Sequence, residues 1–286
     1  MLQAADLTFG YGVTTVLRDV SLVVPTGAFV GIIGPNGSGK TTLLRLLAGT
    51  RRPQRGTVSI DGRPLTSLPR AQIARRMAVV PQETHLAFDY RVLEVVLMGR
   101  YPHLGVFEIE GPRDLVLARK ALEATGTQAL EERLFNTLSG GEKQRVVIAA
   151  ALAQLGSVGS ARSGGSGGSA GAAGTGGAAA SLLLLDEPTA ALDLKYQLEI
   201  AALVRDLHAR LRLTIVMSTH DLNFAATLCD TLVLLKDGCV ISSGPLDDVL
   251  TSASIRELYD VDAEVTRHPS TGHLTVVPIR RTSGHG

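Results

Sequence analysis

The run Gly34-Pro35-Asn36-Gly37-Ser38-Gly39-Lys40-Thr41-Thr42 has the residue types and spacing of a phosphate cradle. Its glycines let backbone N–H groups curl around anionic oxygens, and a helix opening at its end adds a favourable dipole. Lys40 would reach β- and γ-phosphates, and the Thr41 hydroxyl would ligate magnesium. Triphosphate chemistry also needs a carboxylate near the metal, and Leu182-Leu183-Leu184-Leu185-Asp186-Glu187 supplies two acids at the end of an apolar run. A buried strand there would hold Asp186 beside magnesium, and Glu187 next to it could polarise an attacking water as general base. The acid pair alone reads as a solvated turn, whereas the glycine run alone gives a nucleotide-binding fold. Together, with a helix expected straight after the glycines, they point to a nucleoside triphosphate site.

The surrounding pattern predicts the elements that must position these groups. Leu2–Thr8, Val20–Val24 and Phe29–Ile33 read as strands, the last running directly into the cradle, and Thr41–Ala48 reads as a helix closed by Gly49. Further strands are expected at Val58–Ile60 and Met77–Val80, with a short helix over Pro69–Arg76. From Tyr90 to Gln154 the spacing turns mostly helical, most clearly over Arg113–Thr125 and Glu142–Leu155. After Leu182–Leu185, a fully buried strand, come a helix over Lys195–Leu211, a strand over Leu213–Met217 and a helix over Leu222–Leu228. Thr231–Lys236 and Cys239–Ser243 form a hairpin turning at Asp237-Gly238. Alternating strands and helices make the class α/β with a mainly parallel sheet. Between them, Gly156–Ala180 is a Gly, Ser and Ala tract with a single charge, Arg162. It is expected to be a flexible insert, because it has too little apolar area to offset the entropy of ordering.

Composition bounds the partners. The 286 residues carry 28 basic and 27 acidic side chains, a net charge of +1, so no overall field draws the chain to nucleic acid or an anionic membrane. Cys229 and Cys239 lack zinc-site spacing and read as free thiols in a reducing compartment. The N-terminus, with Asp6 early, lacks the pattern of a signal peptide, so a cytosolic location is expected. Gly164–Leu185 is uncharged, but its small residues gain little from a bilayer and it is not read as a membrane span.

With Leu138-Ser139-Gly140-Gly141-Glu142 added between the cradle and the acid pair, the chain resembles the ATP-binding subunits of ABC transporters. The similarity covers roughly Leu2 to Leu250. It implies a P-loop NTPase fold with a mainly parallel core sheet, an N-terminal antiparallel β subdomain, and an α-helical subdomain carrying the signature. The corresponding organisation is an ATPase domain over 1–250, with the helical subdomain at about 83–150, the insert at about 156–180, and a C-terminal extension over 251–286. By resemblance, Ser139, Gly140 and Gly141 meet the γ-phosphate bound to a second subunit, so the ATP is sandwiched in a homodimer. Tyr11 is similar to the aromatic that stacks on adenine, Gln82 to the Q-loop residue near magnesium, Asp193 in Ala191-Leu192-Asp193 to the D-loop acid, and His220 to the switch histidine. The magnesium set is then Thr41, Gln82 and Asp186. Ala190 stands where the family often has Ser, and the 156–180 tract where it has a short turn.

Within that family, Val92–His103, Val261–Val265, His268-Pro269 and Leu274–Pro278 resemble the importer ATPases serving iron-siderophore, haem and cobalamin uptake. The implied partners are integral-membrane permease subunits and, indirectly, a substrate-binding protein, with the ATPase peripheral on the cytoplasmic face. His268, His273 and His285 are spaced irregularly and read as solvated residues of a surface tail. The alternatives are an ABC ATPase for another cargo, a soluble non-transport ABC ATPase, or a non-hydrolysing module. The second predicts paired cassettes or a long coiled-coil insert, and the third predicts loss of Lys40, Glu187 or His220.

Overall fold

A computed structural model describes residues 1–157, 181–190 and 192–281. The predicted insert therefore lies, beyond Gly156 and Ser157, outside the described residues. The chain opens with β1 (Leu2–Tyr11), β2 (Thr14–Val24) and β3 (Phe29–Ile33), followed by α1 (Lys40–Leu47), β4 (Arg55–Ile60) and β5 (Arg63–Pro64). Next come α2 (Arg70–Arg76), β6 (Met77–Val80), α3 (Val92–Met98), α4 (Pro112–Ala124) and α5 (Gly140–Leu155). Then follow β7 (Leu182–Asp186), α6 (Leu194–Leu211), β8 (Thr214–Thr219), α7 (Leu222–Leu228), β9 (Thr231–Lys236) and β10 (Cys239–Pro245). The last elements are α8 (Leu246–Val249), α9 (Ser252–Tyr259), β11 (Val261–Arg267) and β12 (Leu274–Arg281).

The main sheet runs β10-β9-β3-β8-β7-β6, parallel except for the β9–β10 hairpin at its edge. That hairpin turns at Asp237-Gly238, both with positive φ (48° and 79°), the geometry of a two-residue hairpin loop. An antiparallel sheet, β2-β1-β4-β5, forms the second layer. Strand alternation divides the core into two. Phe29, Ile33, Leu183, Leu185, Ile215 and Met217 join an apolar cluster with α3–α7, while Val30, Ile32, Leu182, Leu184 and Val216 pack with α1 and the antiparallel sheet. The apolar runs of β3 and of Leu182–Leu185 in β7 follow from burial on both faces.

Three segments differ from the sequence expectation. β1 and β2 run further than their apolar cores suggest, because Tyr11 pairs with Thr14 across a two-residue turn; this sets Tyr11 at the tip of the hairpin. Register shifts along β1 accompany positive φ at Asp6 and Asp19, so the long hairpin is bulged rather than straight. Beyond Leu250 the chain folds back rather than trailing off. Ile255, Leu258, Ala263 and Val276 are buried in the same apolar cluster as α5 and α7. His268 and His273 close the β11–β12 hairpin through a backbone hydrogen bond of 2.9 Å.

Gly99–His103, part of the segment that resembles metal-chelate importers, closes the C-terminal end of α5. The last carbonyls of a helix have no partner inside it. Here the Arg100 Nη1 donates to the Ala153 carbonyl (2.7 Å), the His103 Nε2 donates to that of Gln154 (2.7 Å), and the Arg100 Nε pairs with Asp114 of α4 (2.9 Å). Burial alone would raise the Asp114 carboxyl, but hydrogen bonds from Arg100 and the Gly111 N–H outweigh it and hold the pKa below its ordinary value. Arg100→Met leaves Asp114 charged without its partner and should cost about 3 kcal/mol of unfolding free energy at pH 7. Because the folded pKa is depressed, the pair stabilises the fold above the ordinary carboxylate range and loses that effect as pH falls below about 4. Urea denaturation should therefore separate parent and variant at neutral pH and bring them together in acid; coincident midpoints at pH 7 would refute the assignment.

Candidate functional site

Parallel strands present their carboxyl ends along one edge, and β3, β8 and β7 are neighbours there. Ile33 pairs in register with Thr219, and Asp186 with Ser218, so the cradle, the acid pair and His220 emerge side by side. A cleft of about 640 Å³ opens over this edge, lined by Tyr11, Asn36, Gly37, Gly39, Lys40, Thr41, Thr42, Gln82, Glu187 and His220 among others. Four of the remaining predicted residues stand behind it. Gly34, Pro35 and Ser38 complete the cradle, and Asp186 is 8% exposed beneath Thr41. Gly34 has to lack a side chain, since a Cβ would sit 2.1 Å from the Leu235 carbonyl oxygen of β9.

Lys40 is 5% exposed, and its ammonium donates to the carbonyls of Gly34 (2.9 Å) and Pro35 (3.1 Å), with a Glu187 carboxylate oxygen at 3.4 Å. The Ser38 hydroxyl oxygen is buried without a hydrogen-bond partner. A buried ammonium held on a curled loop that lines the cleft suits phosphate oxygens, which would accept from it. The Asp186 Oδ1 accepts from the hydroxyls of Thr41 (3.1 Å) and Ser218 (2.6 Å). Thr41 and Asp186 thus bring hard oxygen donors together at the end of the cradle, a donor set that fits magnesium.

Glu187 has φ +44°, an unusual backbone conformation for a residue with a side chain, which costs about 1–3 kcal/mol. Ser218 holds it there: the Glu187 N–H donates to the Ser218 carbonyl (3.1 Å) and to its hydroxyl (3.0 Å). The turn aims the carboxylate into the cleft, where its second oxygen lies 3.2 Å from His220 Nδ1. Tyr11, 43% exposed, meets Phe9 edge to face at 5.0 Å. A hydrogen bond from Thr42 is the largest influence on its phenol and, with Arg45 and Arg51 nearby, holds the pKa below the ordinary value against the opposing effect of burial.

Ser139, Gly140, Gly141 and Asp193 do not line this cleft. Ser139 caps α5 with Glu142 in a reciprocal box: the Glu142 carboxylate accepts from the Ser139 N–H (2.8 Å) and hydroxyl (2.9 Å), and the Ser139 hydroxyl accepts from the Glu142 N–H. Those bonds, the backbone one foremost, hold the Glu142 carboxyl below its ordinary pKa. Gly141 is buried under Tyr196 of α6, whose ring carbon would lie 2.4 Å from an added Cβ. The Asp193 carboxylate caps α6, accepting from the Tyr196 N–H at 3.1 Å. Ala191, its companion in the expected D-loop, lies outside the described residues. The sequence reading missed Ser218, which holds both acids, along with Thr189 and Gln197 of the cleft wall. Ser218 becomes visible only once β7 and β8 are known to be neighbours in this register.

A family model described as ABC transporter matches residues 17–158. The hemin import ATP-binding protein HmuV of Gloeobacter violaceus is 42% identical over 283 residues, covering 99% of this chain and 96% of its own. The cobalamin import ATP-binding protein BtuD of Halobacterium salinarum is 39% identical over 266 residues, 93% of this chain and 60% of its own. Among solved structures, one described as a metal-chelate type ABC transporter in an inward-facing conformation superposes with a TM-score of 0.78 at 28% identity, covering 97% of this chain and 96% of its own. A dimeric bacterial ABC transporter cassette gives 0.68 at 28% identity, over 86% and 99%. Identity of this degree along nearly the whole length means that the chain belongs to the ABC transporter family, as an ATP-hydrolysing subunit that powers an importer.

Proposed function

We propose that this subunit drives uptake of haem through a membrane permease, and that two copies sandwich each ATP. The carrying observation is the division of the site. Lys40, Thr41, Glu187 and His220 converge on one cleft, whereas Ser139–Gly141 opens α5 elsewhere on the same chain. A preformed helix start with small residues is an anion-binding end. Supplied by a second copy, it would close over the γ-phosphate, as the resemblance implies and as the dimeric cassette supports. Asp193, at the start of α6 near that end, would then belong to the same subunit contact.

Within the cleft, the cradle and Lys40 bind the β- and γ-phosphates, and Tyr11 offers its ring to the adenine. Thr41, Gln82 and Asp186 would hold magnesium, which when bound neutralises phosphate charge. Glu187 accepts a proton from the attacking water as its oxygen bonds to the γ-phosphorus and the bond to the β-phosphate oxygen breaks. His220, beside Glu187, contacts the γ-phosphate and registers its presence. Gln82, in the loop after β6, joins the cleft to the surface that meets the permease on the cytoplasmic side of the membrane, where a substrate-binding protein delivers cargo from the other side. Among the described residues no helix is long and apolar enough to cross a membrane, so attachment would run through those permease subunits.

The haem assignment rests on the HmuV relative and on the metal-chelate structural neighbour. Cobalamin is the second reading, favoured by the BtuD relative. Gly99–His103 does not discriminate between them, since Arg100 and His103 are committed to the end of α5. Lys40, Glu187 and His220 standing together disfavour a module that binds ATP without hydrolysing it.

Glu187→Gln should lower steady-state ATP hydrolysis by about a hundredfold or more while ATP binding persists. The variant should elute as an ATP-dependent dimer in size-exclusion chromatography; parent-like hydrolysis would sink the general-base role. For cargo, cells lacking this subunit should lose uptake of labelled haem and regain it with the parent chain but not with Glu187→Gln. Loss of cobalamin uptake with haem uptake intact would transfer the assignment to cobalamin.

A further inference from the structure

Through residues that do not line the cleft, the C-terminal segment grips the chain around His220 at two points. The Tyr259 hydroxyl, on the last residue of α9, donates to the His220 carbonyl at 3.3 Å. Three residues on, the Asn223 side chain makes two hydrogen bonds with the backbone of β12: its Nδ2 donates to the Val276 carbonyl (3.2 Å), and its Oδ1 accepts from the Val276 N–H (2.8 Å). The gripping elements are themselves fixed, since Ile255 and Leu258 of α9 and Val276 of β12 are buried in the apolar cluster shared with α7. His220 Nδ1 lies 3.2 Å from the Glu187 carboxylate, so one short segment bears on the cleft and on the C-terminal segment together.

We propose that Tyr259 is a positioning residue for ATP hydrolysis, its hydroxyl fixing the His220 backbone so that the imidazole faces Glu187 and the γ-phosphate. This deepens the reading of the cleft given above and rests on His220 acting there. Tyr259 is half-buried against that cluster, and a phenylalanine would fill the same apolar space, so what its hydroxyl adds is the bond to the His220 carbonyl. The tyrosine is pushed up to about 12 by burial first, and then by the carboxylates of Asp221 and Glu187. Its hydroxyl therefore stays protonated, and a donor, across working pH. Glu187, His220 and Asp221 line the cleft and Tyr259 does not, so its hydroxyl reaches the reacting groups through the His220 backbone. α9 and the β11–β12 hairpin thereby act on the chemistry without touching nucleotide.

The test is a double-mutant cycle on the full-length chain, with Tyr259→Phe, His220→Ala and the pair, read as kcat and KM for ATP together with the thermal unfolding midpoint. Loss of one hydrogen bond that acts through His220 should lower kcat about fivefold in Tyr259→Phe, with KM unchanged and the midpoint moved by no more than about 2 °C. In the His220→Ala background the same change should have almost no further effect, because the group it positions is gone. Parent-like kcat in Tyr259→Phe, a full multiplicative loss on His220→Ala, or a rise in KM with a falling midpoint would each overturn the inference. If His220→Ala itself hydrolysed ATP at the parent rate, the reading of the cleft would fall and this inference with it. A loss in His220→Ala without one in Tyr259→Phe would remove this inference alone.

Discussion

One carboxylate oxygen joins three stretches of chain that are far apart in sequence. The Asp186 Oδ1 accepts from Thr41, 145 positions earlier, and from Ser218, 32 positions later. That meeting requires β3, β8 and β7 to be adjacent, parallel and in one register. Side chains alternate along a strand, so a slip of one residue in β7 would exchange Leu183 and Leu185 with Leu182 and Leu184 across the sheet and carry Asp186 away from the cradle. The two apolar clusters on either face of the sheet oppose such a slip. Core burial and site geometry are thus one constraint, and the register that satisfies the leucines also delivers the acid.

Ser218 extends that constraint to the neighbouring acid. Its hydroxyl donates to Asp186 and accepts from the Glu187 N–H, while its carbonyl accepts from the same N–H. The left-handed turn at Glu187 is affordable because these bonds satisfy its backbone on the spot. With ordinary extended geometry, the side chain after Asp186 would leave the strand on the opposite face. The turn instead lets two consecutive acids serve one cleft, Asp186 beneath it and Glu187 inside it.

The sequence revealed most where a local pattern has one physical use. The glycine cradle, the four leucines of β7 and the Asp237-Gly238 hairpin each announce their conformation without reference to the rest of the chain. It was silent where partners come from afar. Tyr11 reads as lying in a loop because Gly10 and Gly12 flank it, yet pairing with Thr14 draws it to the end of a strand. β11 alternates apolar with acidic residues and β12 runs Leu274-Thr275-Val276-Val277-Pro278-Ile279 before two arginines, with no turn signal between them as sharp as Asp-Gly, and Val276 of β12 is held by Asn223 of α7. Ser139 and Glu142 illustrate a third case. Their spacing suits a helix start, and the structure adds that Gly141 is small because Tyr196 of α6 lies against it.

Both flanks of the Gly/Ser/Ala tract are fixed by bonds that need nothing of it beyond Gly156. On one side α5 ends in Gly156, whose left-handed φ of 66° lets its N–H return to the Leu152 carbonyl, while Arg100 and His103 take the next carbonyls. On the other, Leu182 pairs at once with Met77 of β6 and Thr214 of β8. The capping box at Ser139 and the carboxylate at Asp186 are thus each reached through an element whose end is already closed. The start of α5 and the end of β7 are held in turn by bonds among residues outside the tract, the capping box of Ser139 with Glu142 and the hydroxyls of Thr41 and Ser218 on Asp186.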